Sequence, residues 1–158
     1  YISYEDVLKV YRKMIDASEG GFAGVRDEGG ILATLDFVQS DIYYPTFAEK
    51  LCYLVFQFCS GHYFNDGNKR IALTLGAYFL HQNHCPWEAC IFMRQFEAIV
   101  YQVAASNIDQ ALLLRMMRAF IAREDYDEAL KIDIAKAMSR GKLGFPSEGD
   151  NCEGVLIR

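Results

Sequence analysis

Nine consecutive residues, His62-Tyr63-Phe64-Asn65-Asp66-Gly67-Asn68-Lys69-Arg70, gather an imidazole, a carboxylate, carboxamide groups and two cations around one glycine. Their types suit the transfer of a group from a nucleoside triphosphate to a protein hydroxyl. A hydroxyl nucleophile needs a base near neutral pH, and histidine serves without heavy tuning of its pKa. Phosphates need cations and backbone N–H groups; a glycine lets the backbone come close, and a helix N-terminus presents free donors with a favourable dipole. Asp66-Gly67-Asn68, set directly before an apolar helix, would supply such a nest. Lys69 and Arg70 on its first turn would add charge and, for the arginine, bidentate reach. Asp66 is the carboxylate of the loop and the natural ligand for Mg²⁺, which takes oxygen donors and shares them with phosphates. Phe64 has no polar use and would anchor the loop and aim His62. The plainer alternative is a polar connection between helices with a surface Lys-Arg pair, since Asp-Gly-Asn alone is ordinary turn chemistry.

The elements that must position this loop are apolar on both sides. Thr46, with Glu49 three residues on, has capping-box spacing and opens a helix through Cys59 that is apolar almost all round. Ile71 to Leu80 forms a second such helix, broken at His84 to Pro86. Upstream, Ser3 reads as an N-cap with acidic residues behind it, and Val7, Tyr11, Met14 and Ile15 recur at helical spacing until Gly20-Gly21. Val25 to Gly30 reads as a polar turn, followed by a short helix carrying Ile31, Leu35 and Val38. Within that turn Arg26 and Asp27 read as a surface pair, with a phosphate-facing arginine as the sharper alternative. Ile42-Tyr43-Tyr44, before Pro45, has β-type residues and predicts a loop or a short extended flap. Downstream the spacing predicts helices from Trp87 to Ala105, from a cap at Ser106 or Asn107 through Ile121, and from Glu124 to a stop at Arg140-Gly141. A loose tail follows, and the fold class is all-α.

Bulk composition narrows the class. The 158 residues suffice for one domain with a core, and 52% hydrophobic content with 14% aromatics argues against disorder. A formal charge of -5 gives no general basic footprint, so no direct contact with nucleic acid is expected. No apolar run approaches the roughly 20 residues that span a bilayer, and no signal peptide opens the chain, though a start at Tyr1 leaves a lost leader open. The cysteine count is five, and Cys52, Cys59 and Cys90 sit in apolar surroundings, which favours reduced thiols and a cytoplasmic protein. His81, His84, Cys85 and Cys90 invite a zinc reading, but no Cys-x-x-Cys accompanies them, and helix-end residues are the expectation.

The string His62-x-Phe64-x-Asp66-Gly67-Asn68-Lys69-Arg70 resembles the signature of the Fic/Doc (Fido) superfamily, and its Asn-Lys-Arg ending is similar to the Doc-like, death-on-curing branch. Arg26-Asp27-Glu28-Gly29, Tyr44-Pro45-Thr46 and Glu49-Lys50 resemble the upstream part of Doc-like proteins. The resemblance covers roughly Tyr4 to Ile121, which divides the chain into a Fido domain, 1–122, and a C-terminal helix and tail, 123–158. It implies a helical bundle with the motif between two central helices, acting with ATP or another nucleoside triphosphate and Mg²⁺ on a Ser, Thr or Tyr hydroxyl of a target protein. It implies His62 as general base, Asp66 as metal ligand, Asn68 as a phosphate-positioning group, and Gly67, Lys69 and Arg70 as the anion site, with Arg26 and Asp27 as accessory residues.

Departures from the pattern choose between branches. Members that transfer AMP commonly carry glycine where Lys69 stands and a second arginine where Leu73 stands. Both changes favour the Doc-like reading: a kinase acting on a translation factor such as elongation factor Tu, and a toxin of a toxin–antitoxin pair. Protein adenylylation is the alternative, and a non-catalytic binding module the second one. Tyr63 replaces the usual proline, with modest consequence expected because that side chain need not touch phosphate. The family's inhibitory pattern is missing, because no Ser or Thr has Glu four residues later. Restraint would then come from another chain, such as an antitoxin peptide folding into a groove.

Overall fold

The computed structural model describes residues 1–18 and 24–142. Seven helices follow in chain order among the described residues: α1 Tyr4–Ala17, α2 Glu28–Gln39, α3 Phe47–Ser60, α4 Asn68–Gln82, α5 Pro86–Ala104, α6 Gln110–Ala122 and α7 Glu128–Lys142. The fold is all-α. Helices α3 and α4 are the inner pair: α3 touches α2, α4, α5 and α6, while α4 packs most extensively on α5 and α3. Their composition explains the placement, for Leu51, Leu54, Val55 and Phe58 of α3 and Ile71, Ala72, Leu75 and Leu80 of α4 are wholly buried. Gly76 allows α4 to approach its neighbours, since a Cβ there would meet the Phe92 ring at 2.6 Å and Val55 at 2.9 Å.

Capping fixes where the helices begin. Ser3 and Asp6 close a capping box on α1, and Thr46 and Glu49 close one on α3. Each box satisfies backbone donors that the first turn leaves free. The Glu49 carboxyl is held below its ordinary pKa, chiefly by the Thr46 hydroxyl and then by the Thr46 N–H. Inside α3 the charged Lys50 is buried; its ammonium donates to the Val38 carbonyl at 2.9 Å and pairs with Asp41 at 2.9 Å. This ties the end of α2 and the following turn to the inner helix.

Several boundaries differ from the sequence reading. Helix α2 begins at Glu28, because the Asp27 carboxylate caps it by accepting from the Gly30 N–H at 2.8 Å; Glu28 to Gly30 are helical, not turn. Asp41 to Tyr43 form a turn closed by the Tyr44 N–H on the Ser40 carbonyl at 3.0 Å, so the extended flap near Ile42-Tyr44 is not formed. The cap of α6 is Asp109 rather than Ser106 or Asn107. Those two residues still belong to the wind-down of α5: Ser106 lies at φ 62, and the Asn107 N–H donates to the Gln102 carbonyl at 2.9 Å. Helix α7 starts four residues later than expected, with the Asp127 carboxylate accepting from the Leu130 N–H at 2.8 Å, and it runs through Arg140-Gly141 to Lys142. A single helical glycine costs about 1 kcal/mol relative to alanine and need not end a helix. Leu130, Ile134 and Ala137 of α7 join the same core as the inner helices. The expected stop at Gly20-Gly21, the tail and Cys152 lie outside the described residues.

Candidate active site

Helix α3 ends at Ser60, Gly61 is its C-cap, and six residues later Gly67 is the N-cap of α4. Gly67 lies at φ 79, a left-handed conformation that glycine adopts without a Cβ penalty. It offers no side-chain cap, and the first turn of α4 carries no acid. The opening N–H groups of an α-helix have no partner within the helix and stand at the positive pole of the helix dipole. Gly67 itself gives its N–H to the Asp66 carboxylate at 2.8 Å.

The loop is held from three sides. The Phe64 ring, 1% exposed, stacks on Tyr11 of α1 with centroids 3.9 Å apart, and the Tyr11 hydroxyl donates to the Asp66 carbonyl at 3.1 Å. Burying a phenylalanine contributes roughly 1.5–3 kcal/mol, which offsets part of the entropy lost in ordering the loop. The segment before α2 runs antiparallel to the motif as a single bridge between Val25 and Phe64. There the Arg26 N–H donates to the Tyr63 carbonyl at 2.8 Å and the Asn65 N–H to the Gly24 carbonyl at 3.0 Å. The third hold is Asn68. Its Oδ1 accepts from the Phe64 N–H at 3.0 Å, and its Nδ2 donates to the Phe64 carbonyl at 2.9 Å.

This geometry redistributes the roles expected of the motif. The Asn68 carboxamide is committed to the loop, so its offer to an anion is its backbone N–H. Asp66 and Arg70 form an open pair, Oδ2 to NH2 3.9 Å, with side chains 53% and 42% exposed. Both can reach a ligand at the mouth of α4. Lys69 turns the other way: its ammonium lies 4.6 Å from the centroid of the Tyr101 ring on α5, a cation–π contact. His62 is exposed, lies at φ 51, and has no side-chain hydrogen bond among the described residues. No ion pair joins Arg26 and Asp27; Arg26 is exposed, and Asp27 is occupied by its cap. Thr34 and Tyr101 had no place in the sequence reading; Tyr11 stood there only on the apolar stripe of α1, and Tyr63 only as a replacement of modest consequence.

Magnesium suits these donors. Among the described residues no group of three or more His, Cys, Asp or Glu could cage a metal, which also removes the zinc reading of His81, His84, Cys85 and Cys90. A single half-exposed carboxylate beside an anion-accepting helix end fits a hard cation that keeps waters and shares phosphate oxygens. Cys90 is exposed, contrary to its expected apolar setting, because it falls just off the buried Ala89, Phe92, Phe96 stripe of α5. A cavity of about 250 Å³ lies between α6 and α7, lined by Asn107, Asp109, Leu112, Arg115, Asp133 and Lys136, among others. It shares no residue with the motif, and its Arg115 is already paired with Asp133.

Fold and loop together define a helical protein with an exposed histidine in the loop that leads to the start of an inner helix. A model of the Fic/DOC family matches residues 1–80, half of the chain, and the chain belongs to that family. Membership makes it, in general terms, a Fic-type transferase of a family that uses nucleoside triphosphates. Comparison with curated proteins gave no match, and comparison with solved structures gave none.

Proposed function

We propose that the chain is a Doc-like protein phosphotransferase that moves the terminal phosphoryl group of ATP to a hydroxyl of a target protein. The observation that carries this reading is Leu73. It is 7% exposed and faces the core one turn beyond the motif, so no second cation stands at that position. Lys69 adds to it, since its bulk replaces a glycine and its charge is held by Tyr101. In this reading the phosphates lie at the N-terminus of α4, held by its free N–H groups and by Arg70. Asp66 would hold a magnesium ion, which when bound would supply charge neutralisation at the phosphates. His62 takes the proton from the target hydroxyl as the new P–O bond forms and ADP leaves. The loop supplies what phosphoryl transfer chiefly demands, which is positioning and electrostatic stabilisation.

A translation factor such as elongation factor Tu is the proposed target, the cytoplasm the proposed compartment, and a partner chain acting as antitoxin the proposed restraint. Incubation with a cell lysate and either γ-labelled or α-labelled ATP tests the reading. Label from the γ position on one protein supports it. Label arriving only from the α position establishes AMP transfer instead. No label from either, with no nucleotide binding by calorimetry in the presence of Mg²⁺, establishes a binding module.

A further inference from the structure

We propose that Tyr63 is the positioning residue of His62, and that the buried Thr34–Tyr63 hydroxyl pair holds the imidazole in its working direction. His62 sits at φ 51, in the left-handed region that is uncommon for non-glycine residues but open to a histidine directly after a helix C-cap. Its own side chain makes no hydrogen bond among the described residues, so the direction of the imidazole depends on the backbone it shares with its neighbours. Tyr63 is gripped at both ends. Its carbonyl accepts from the Arg26 N–H at 2.8 Å and the Asp27 N–H at 3.1 Å. Its hydroxyl lies 2.7 Å from the Thr34 hydroxyl, with Thr34 2% and Tyr63 6% exposed.

The ring between those ends has a slot made for it. A Cβ at Gly30 would come within 2.6 Å of the Tyr63 ring, and one at Gly61 within 2.5 Å. Phe58 closes the slot edge-on, centroids 5.2 Å apart. Residues of α2, α3 and the segment before α2 thus fix Tyr63 relative to the helix pair, and His62 has no slack on its C-terminal side. A proline at position 63 would bias His62 toward extended backbone and away from this geometry, so a residue other than proline suits it.

The kinetic part of the test rests on the phosphotransfer reading; the spectroscopic part does not. Tyr63→Phe removes only the hydroxyl, Thr34→Val removes its nearer partner (Gln57 Oε1 accepts from the hydroxyl at 3.5 Å), and Thr34→Ser restores a donor and acceptor. In the two disruptive variants, held at a temperature where circular dichroism shows the full helical signal, the His62 ring resonances shift. The His62 amide-to-Hα coupling, which reads φ, shifts with them. The kcat for transfer falls roughly tenfold while the KM for ATP stays within about twofold, the pattern of a misplaced reacting group. Thr34→Ser returns both readouts toward wild type. Unchanged His62 signals in Tyr63→Phe and Thr34→Val overturn the proposal, as does a parallel change in kcat and KM that Thr34→Ser does not reverse. If Tyr63→Phe does not fold, Thr34→Val carries the test. A wild-type chain that transfers from no nucleotide overturns the phosphotransfer reading and leaves the His62 resonances to decide this one.

Discussion

At the residue scale, the motif has two layers with different consequences on mutation. Phe64, Asn68 and Gly67 shape the loop; His62, Asp66 and Arg70 face outward from it. Asn68→Ala removes two hydrogen bonds to the Phe64 backbone. The cost is about 1–3 kcal/mol, read as a lower Tm, and transfer falls with the loop geometry. Gly67→Ala places a Cβ at φ 79 and brings it to 3.0 Å from the Met14 methyl. A left-handed non-glycine residue costs roughly 1–2 kcal/mol, and the same thermal melt checks it. The carboxamide role shows where sequence reading ran out. An Asn at the start of a helix is equally able to face a ligand or to bond back to the loop. Only the folded position of Phe64 decides, because that fixes where the backbone N–H and carbonyl stand.

At the scale of elements, the caps of α1 and α3 and the inner helices were legible because their signals are local. Ser3 and Thr46 each stand three residues before an acidic partner, and the spacing alone fixes the hydrogen bonds. Thr46→Ala is expected to cost about 1 kcal/mol of stability in denaturant unfolding, as loss of an N-cap does. The same change raises the Glu49 pKa, since Thr46 is the main cause of its lowering. A depressed carboxylate contributes stability above its unfolded pKa and loses it as pH falls through the folded value, so the mutant loses less than wild type on acidification. Gly76→Ala reports on the α4–α5 contact: a Cβ 2.6 Å from the Phe92 ring overpacks the core and costs about 1–3 kcal/mol. The turn at Asp41–Tyr43 was legible only as one of two alternatives, a loop or an extended flap. Its β-type residues point outward, Ile42 90% and Tyr43 64% exposed, and the tie that bends the chain comes from Lys50 on another helix. Position 50 carries no sequence sign of that tie.

At the scale of the whole molecule, the all-α class was readable from hydrophobic spacing, whereas the contacts that join distant segments to the motif were not. Tyr11, Thr34 and the strand-like stretch before α2 meet the loop only after the bundle has closed. The interior also sets the thiol chemistry. Burial pushes the Cys52 thiol up to about 12 and the Cys59 thiol up to about 11. Both stay protonated at neutral pH, so alkylation of the native protein is expected to modify Cys90 before either, as peptide mapping would show. A raised thiol pKa contributes stability below the unfolded value of 9.0 that is lost as pH rises through the folded values. The alkaline limb of stability therefore falls above pH 9.0, and falls less steeply in a Cys52→Ala, Cys59→Ala variant.

The central claim is that His62 is the base for transfer from a nucleotide held at the start of α4. Single-turnover transfer from γ-labelled ATP, comparing wild type with His62→Ala, tests it most directly, with nucleotide binding measured alongside by calorimetry. The predicted result is a rate lower by about 100-fold or more, the usual contribution of a general base, with ATP affinity unchanged. A His62→Ala variant that transfers the label at the wild-type rate would contradict the account.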